Sequence, residues 1–229
     1  MLEAVQATPA LRGFRDKDYV QTKEGYFFCI VGPIHPEDRV IAYLKYVPDP
    51  LGKWGKGETR FRRALGHYTM LDLLETLKFL ERHPEYLYDS SVLSIVISAV
   101  PLERISAHLK PEEKLSQLMQ IEDLDALQRK AIDLATLISD ESGIPIEYFG
   151  VTGSLLLDIH QDFSDIDLIV YGAKNSEALK EALARLYEER RSPIQRFDAE
   201  RVRELGLTKA QMYPLTYEEA VTIFKRKWG

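Results

Sequence analysis

The sequence is short of cysteine. Cys29 is the one thiol in 229 residues, so no intrachain disulfide can form and no cysteine-based zinc site can be assembled. Its neighbours in "YFFCIVG" are apolar, which predicts a buried structural thiol. Long apolar runs are missing as well, none approaching the ~20 residues that span a bilayer. The N-terminus "MLEAVQATPALRGFRDKDYV" lacks the basic start and apolar core of a secretory leader. A soluble, cytoplasmic protein without a membrane partner is therefore expected. Positive charge is not in excess either: the formal net charge is −6, which does not announce a nucleic-acid-binding chain. Five histidines are scattered without metal-ligand spacing, and no Ser/His/Asp hydrolase arrangement stands out.

What is present is ordinary globular composition, 45% hydrophobic and 29% charged, in a length that suits one large domain or two ordinary ones. The charge is unevenly divided. Residues 1–120 carry 16 basic and 16 acidic side chains, whereas residues 121–229 carry 14 and 20. An acidic half that met a nucleotide would need cations to bridge the two.

"GYFFCIVG" (25–32) and "RVIAYLKYV" (39–47) are rich in β-branched and aromatic residues and are split by the prolines of "PIHPED", which predicts two neighbouring antiparallel strands. "PDPLGKWGKG" (48–57) reads as a long loop. Leu71, Leu74, Leu77 and Leu80 have helical spacing over 69–83, closed by Pro84. A strand is expected at 91–100 and a helix at 102–109. The polar stretch 110–125 carries no strand signal and marks an expected boundary between two domains, 1–120 and 121–229.

After it, Asp123 is placed to cap the helix "LDALQRKAIDLATLISDES", with Gly143 just past its end. A short strand at "YFGVTG", a short helix "SLLLDIH", a strand "DIDLIVYG" and a helix behind Asn175 follow. That alternation predicts an α/β unit. Thr216 and Glu219 have capping-box spacing, so the chain is expected to end in a helix.

The chemistry is concentrated in "VTGSLLLDIHQDFSDIDLIVYG" (151–172). Residues two apart on a strand share a side, ~6.5–7 Å apart, so Asp165 and Asp167 are expected to present both carboxylates together while Ile166, Leu168 and Val170 face the core. A close carboxylate pair suits a hard divalent ion such as Mg²⁺. Gly153-Ser154 falls where a strand turns into a helix, and free backbone N–H groups there favour a phosphate. Glycine permits close approach of the phosphate, and the Ser154 hydroxyl adds a donor. A phosphate cradle beside metal-binding carboxylates is the equipment of phosphoryl or nucleotidyl transfer. Taken singly, an Asp-x-Asp pair is an ordinary solvated strand end and Gly-Ser an ordinary turn. His160 reads as a helix-end or loop histidine, and Asp158 and Asp162 as solvated.

The combination Gly153-Ser154, ten residues, then Asp165-Ile166-Asp167-Leu168 resembles the DNA polymerase beta-type nucleotidyltransferase superfamily. With the strand-rich segment "YFFCIVGPIHPEDRVIAYLKYVPDP" ahead of it, the layout also looks similar to archaeal proteins described only as predicted nucleotidyltransferases. The resemblance implies an α+β or α/β fold, with a nucleotidyltransferase-like mixed sheet and flanking helices at 121–229 behind an N-terminal α+β domain. It implies an NTP substrate, two Mg²⁺ ions on Asp165 and Asp167, and the nucleotide's β- and γ-phosphates at Gly153 and Ser154. A third carboxylate should follow by about 30 residues. Asp198 has the spacing and Glu200 is the weaker choice, although "RFDAERVREL" reads equally well as a helix capped by Asp198.

Residues 52–63 form the conspicuously basic piece, with Lys53, Lys56, Arg60, Arg62 and Arg63 against Glu58 alone. With Trp54 and Phe61 interleaved, the piece is a candidate grip for a phosphate-bearing acceptor such as RNA; it reads equally as a solvated loop anchored by its aromatics. Three functions stay open: an Mg²⁺-dependent nucleotidyltransferase with an RNA, protein or other acceptor, a catalytically silent nucleotide-binding or sensor module, and an RNA- or DNA-binding protein that uses the basic piece.

Overall fold

A strand buried on both faces is written as a continuous apolar run, whereas a strand with one wet face alternates. The segment 27–30, Phe-Phe-Cys-Ile, is buried throughout and lies at the centre of a large antiparallel sheet. The computed structural model describes residues 12–66, 69–189 and 192–226, and its class is mixed α+β. The elements, in chain order, are β1 (Tyr19–Thr22), β2 (Phe27–Ile30), β3 (Arg39–Pro48), β4 (Trp54–Lys56), β5 (Thr59–Arg63), α1 (Met70–Leu80), β6 (Leu87–Ser90), β7 (Ile95–Pro101) and β8 (Ile105–Leu109). They continue with α2 (Pro111–Leu118), α3 (Ala126–Ser142), β9 (Phe149–Thr152), α4 (Gly153–Leu156), β10 (Asp167–Val170), α5 (Ala173–Glu188), α6 (Ala199–Met212) and α7 (Tyr217–Arg226).

The sheet runs β4-β5-β3-β2-β1-β8, and the long strand β3 also pairs with β7, which carries β6 at the edge. β2 and β3 are antiparallel neighbours as expected. Alternation sorts the side chains of these strands onto two faces. Val20, Phe28, Ile30, Val40, Ala42 and Leu44 enter one core with Leu80 of α1 and Tyr86. Tyr19, Phe27, Cys29, Tyr46 and Phe61 enter a second core, which is completed by Leu156 at the end of α4 and by Leu157 and Ile159 just after it. The buried thiol is thus part of the contact between the two halves of the chain.

Several local expectations are corrected. The segment expected to be a helix at 102–109 is a single 3₁₀ turn followed by β8, because Ile105–Leu109 is recruited by the open edge of β1, with Tyr19 opposite Leu109. Pairing across the chain outweighs local propensity there. The expected long loop holds the hairpin β4–β5: Lys56 faces Thr59, and the positive φ of Gly55 and Gly57 (94° and 60°) lets the chain turn between the strands. β1 and β6 were not expected at all. Leu71 and Leu74 of α1 are exposed, and the helix instead buries Thr76 and Leu80.

The polar stretch 110–125 contains α2, opened by Pro111 at its first turn. α2 lies directly on β9: a Cβ at Gly150 would sit 2.6 Å from Pro111 Cβ and 2.8 Å from Glu112 N. α3 is capped by Asp125 rather than Asp123, and it ends in left-handed Gly143 as expected. α5 begins directly after Gly172, and Asn175 hydrogen-bonds back to the Tyr171 carbonyl instead of capping. The Thr216–Glu219 capping box opens α7 as expected. β9 and β10 pair antiparallel, joined through α4, and the segment 192–198 forms no strand. No helix among the described residues is long and apolar enough to cross a membrane.

The closeness of α2 to β9 yields a test. Gly150→Val is expected to destabilise the protein by about 1–3 kcal/mol through overpacking against Pro111, read from the urea midpoint. A midpoint equal to that of the unsubstituted protein would show that α2 is not seated on β9.

Candidate active site around the Gly-Ser turn

Asp167 opens β10 directly opposite Thr152, the last residue of β9. Gly153 follows at φ 69°, and a Cβ built there would lie 2.5 Å from Asp167 Oδ2. The carboxylate therefore occupies the space a side chain would take, and only glycine satisfies both the backbone angle and this contact. The Gly-Ser turn and the second aspartate form one structural unit, as their common presence in the motif suggests.

Ser154 is buried, and its carbonyl accepts from Ile159 N, which folds the chain back after α4. The helix expected over 154–160 is shorter than read, four residues from Gly153 to Leu156. Its dipole is correspondingly small, so an anion here would rely on local N–H and hydroxyl donors. Asp165 precedes β10 rather than lying within it. Both aspartates are exposed, while Ile166, Leu168 and Val170 pack into the core formed by α2, α3 and β9. The alternation read from the sequence is kept, with acids outward and aliphatics inward.

Asp198 lies elsewhere in the structural logic. It is the N-cap of α6, where its carboxylate accepts from Arg201 N at 2.7 Å, and Glu200 sits in the first turn of the same helix. Among the described residues no three His, Cys, Asp or Glu side chains gather as a metal-binding group. The structure brings Asp167 to the Gly-Ser turn, with Asp165 exposed two residues ahead of it, and among the described residues Asp198 does not join them in a metal-binding group.

The basic hairpin, in contrast, is brought to the motif. Gly55 N donates to Ile159 O at 2.8 Å, and Gln161 Nε2 donates to Gly55 O at 2.6 Å. Trp54 meets Phe163 edge-on, with ring centroids 6.1 Å apart, and Arg63 stacks over Trp54. Lys56 Nζ reaches Asp125 Oδ2 at 3.3 Å, and Arg62 pairs with Asp49. Arg60 donates to Gly57 O, and Lys53 is exposed. The charge counted in the sequence is thus partly engaged within the hairpin and with Asp49 and Asp125, while backbone, amide and ring contacts lock the hairpin to the loop 159–163.

His160 is a loop residue, but a buried one. Its Nε2 lies 2.7 Å from Asp125 Oδ2, and its Nδ1 has no partner among the described residues. Asp125 holds three things at once: the N-terminus of α3 through Leu127 N and Gln128 N, the loop through His160, and the hairpin through Lys56. Burial pushes its carboxyl up, but the Gln128 N–H, the hydrogen bond and charge of His160, and Lys56 outweigh this and hold its pKa at about 2. Asp158 and Asp162 are both exposed, as expected, and Asp158 also accepts from the buried Lys114 at 2.5 Å.

A second polar junction was invisible in the sequence because its members are about a hundred residues apart. Arg12 forks between Asp18 and Glu112, His108 Nε2 lies 2.8 Å from Asp18, and the Tyr171 hydroxyl donates to Glu112 at 2.8 Å. Beside it, Thr152 Oγ1 donates to Lys17 O at 2.8 Å. Burial raises the Asp18 and Glu112 carboxyls, and the Arg12 hydrogen bonds more than reverse that, so both pKa values are lowered.

Carboxylates with depressed pKa values stabilise the fold where they are ionised, and that contribution is lost as pH falls through the folded-state value. Stability is therefore expected to hold from neutral pH down to about pH 4 and to decline below it, as Asp18, Glu112 and Asp125 protonate. Asp125→Asn keeps a helix-capping side chain but removes the charge, so its urea midpoints should show a shallower acid decline. An identical decline in the variant would mean that Asp125 does not couple the loop, α3 and the hairpin.

No protein-family model matches the chain, and no solved structure matches it. The chain is similar to an uncharacterized protein of Methanocaldococcus jannaschii, MJ1086, with 32% identity over 219 residues. The match covers 94% of this chain and 64% of that protein, so the chain spans under two thirds of the relative's length.

Proposed function

We propose that the chain binds an Mg²⁺–nucleoside triphosphate at Asp165, Asp167 and the Gly153-Ser154 turn, and transfers the nucleoside monophosphate to an acceptor. An acceptor hydroxyl or similar nucleophile would attack the α-phosphorus, lose its proton, and release pyrophosphate. The observation that carries this reading is that Asp167 Oδ2 fills the space a Cβ at Gly153 would take, which supports a carboxylate beside the turn proposed to receive the phosphates.

The residues present fit one Mg²⁺ carried by a triphosphate. That ion takes one or two protein carboxylates and completes its shell with phosphate oxygens and water, and Asp165 and Asp167 are exposed to receive it. Bound there, Mg²⁺ would neutralise charge on the phosphates. The two ions implied by the resemblance would need a further carboxylate that the described residues do not group with this pair. Ser154 would donate to a phosphate oxygen. The hairpin with Lys53, Arg60 and Arg63, fastened to the loop that leads into Asp165, supports an acceptor-facing role.

A second reading, nucleotide binding without turnover, is favoured by the placement of Asp198 in the cap of α6. Incubation with Mg²⁺ and each α-labelled NTP, with cellular RNA and protein as acceptors, separates the two. Label transfer that disappears in the Asp165→Ala, Asp167→Ala double variant supports the transferase. Binding that needs both aspartates, without label transfer, supports the silent module. Nucleotide binding unaffected by the double variant would sink both.

Glycine substitution gives an internally controlled check. Gly153 and Gly143 have φ values of 69° and 67°, but a Cβ at Gly143 would touch nothing within 4 Å. The positive φ alone should cost alanine about 1 kcal/mol at each position, and Gly153→Ala adds the displacement of the Asp167 carboxylate. Mg²⁺–nucleotide affinity should fall tenfold or more only in Gly153→Ala. Equal affinities in the two variants would remove the contact with Asp167 from the argument.

A further inference from the structure

A nucleoside triphosphate brings about four negative charges to a site already holding two carboxylates. One Mg²⁺ leaves much of that charge uncompensated. The half 121–229 is acidic, and Lys114 of α2, a basic side chain that reaches the loop after α4, is engaged by Asp158. The N-terminal half supplies what is missing. Lys17 lies immediately before β1 with φ 67°, a left-handed conformation unusual for a lysine. Two contacts hold it there: its N–H donates to Ile30 O at 3.1 Å, and its carbonyl accepts from Thr152 Oγ1. Thr152 is the neighbour of Gly153 and the cross-strand partner of Asp167. The Lys17 backbone is therefore fastened to the residue on which the candidate site is built.

Lys45 approaches from the same sheet. Its ammonium lies 5.7 Å from the centroid of the Tyr19 ring, and Tyr19 and Cys29 belong to the core that receives Leu156 and Leu157 of the motif. Burial pushes the Cys29 thiol up, and a hydrogen bond with Tyr43 and the charges of Lys45 and Lys17 offset part of that rise. Half of the Lys17 side chain is exposed, its nearest acid being Asp16 at 4.0 Å. A half-exposed lysine whose backbone is bonded to the residue before the Gly-Ser turn, and a second lysine on the sheet ring that shares a core with Leu156 and Leu157, are suited in chemistry to oxygen-rich anions.

We propose that Lys17 and Lys45 bind the phosphates of the nucleotide held at Asp165, Asp167 and the Gly-Ser turn, so that the phosphate site is built across both halves of the chain. This rests on the nucleotide reading above and adds to it the source of positive charge. It also gives the N-terminal half a function at the site besides support.

The test is titration of the full chain with a fluorescent ATP analogue in Mg²⁺, with inorganic tripolyphosphate as competitor. Lys17→Asn removes the charge but tolerates the left-handed backbone, and Lys45→Gln keeps a long polar side chain. Each should weaken triphosphate binding roughly tenfold, and the pair roughly a hundredfold, with a smaller loss for the monophosphate. Lys17→Arg should retain binding, and Lys78→Gln on α1 should change nothing. Thermal midpoints and circular dichroism of each variant exclude loss of fold as the cause. Binding abolished by Asp165→Ala and Asp167→Ala, but within twofold of the unsubstituted protein in both lysine variants, would overturn this inference and leave the nucleotide site standing. If the unsubstituted chain binds neither the analogue nor tripolyphosphate, the site and the inference fall together.

Discussion

Leu156, Leu157 and Ile159 are buried against the sheet face that carries Tyr19, Phe27, Cys29, Tyr46 and Phe61. That apolar contact is what the candidate site depends on. Each of these side chains contributes about 1.5–3 kcal/mol on burial, and all three lie within six residues of Gly153. The turn cannot move away from the sheet without exposing them. The short α4 is therefore held less by its own four-residue ladder than by the N-terminal half beneath it. The same contact draws in Cys29, Tyr19 and Phe61, so the elements that carry the candidate site and those that carry the large sheet share one interior.

Polar contacts then fix the angle at which this apolar joint sits. Hydrophobic burial has little directional preference, whereas a carboxylate forked by a guanidinium is exacting in geometry. Arg12 ties Asp18 of the sheet's leading edge to Glu112 of α2, and Tyr171 closes the set from the end of β10. On the other side of the turn, Asp125 ties α3, His160 and Lys56 together. Such partly buried pairs add modest net stability, because desolvation offsets most of their attraction. Their consequence is positional: two sets of charged contacts flank the turn, and Asp165 sits on the loop between one of them and β10.

The candidate site was legible in the sequence to the extent that it is local. Gly153, Ser154, Asp165 and Asp167 fall within fifteen residues, and a glycine beside a carboxylate two strands' ends apart is a pattern that spacing can reveal. The alternation of Ile166, Leu168 and Val170 was readable for the same reason. The hairpin β4–β5 was hidden because its glycines also suit a loop, and what makes it a hairpin is pairing with β3 and the bond from Gly55 to Ile159. β8 was hidden because a strand needs a partner, and Ile105–Leu109 finds it more than eighty residues earlier in β1. Thr152 and Lys17 are 135 positions apart, and no local pattern connects them.

Asp198 shows how one residue type can satisfy two descriptions with opposite consequences. Counted along the chain, it stands where a third metal-binding acid would be expected. Read locally, Asp-Ala-Glu-Arg is a helix start, and the structure uses it so, with Arg201 N on its carboxylate. A capping carboxylate has committed one oxygen to the backbone at a helix end, and releasing it costs about 1 kcal/mol. Aspartates that bear a cation need the reverse arrangement, with oxygens unengaged by protein donors and backbones fixed. Asp167 meets that description: it is set by the β9 register and the missing side chain of Gly153, and its carboxylate stays exposed. The difference between the two acids lies in the partners that the fold has already assigned to them, and spacing does not carry that information.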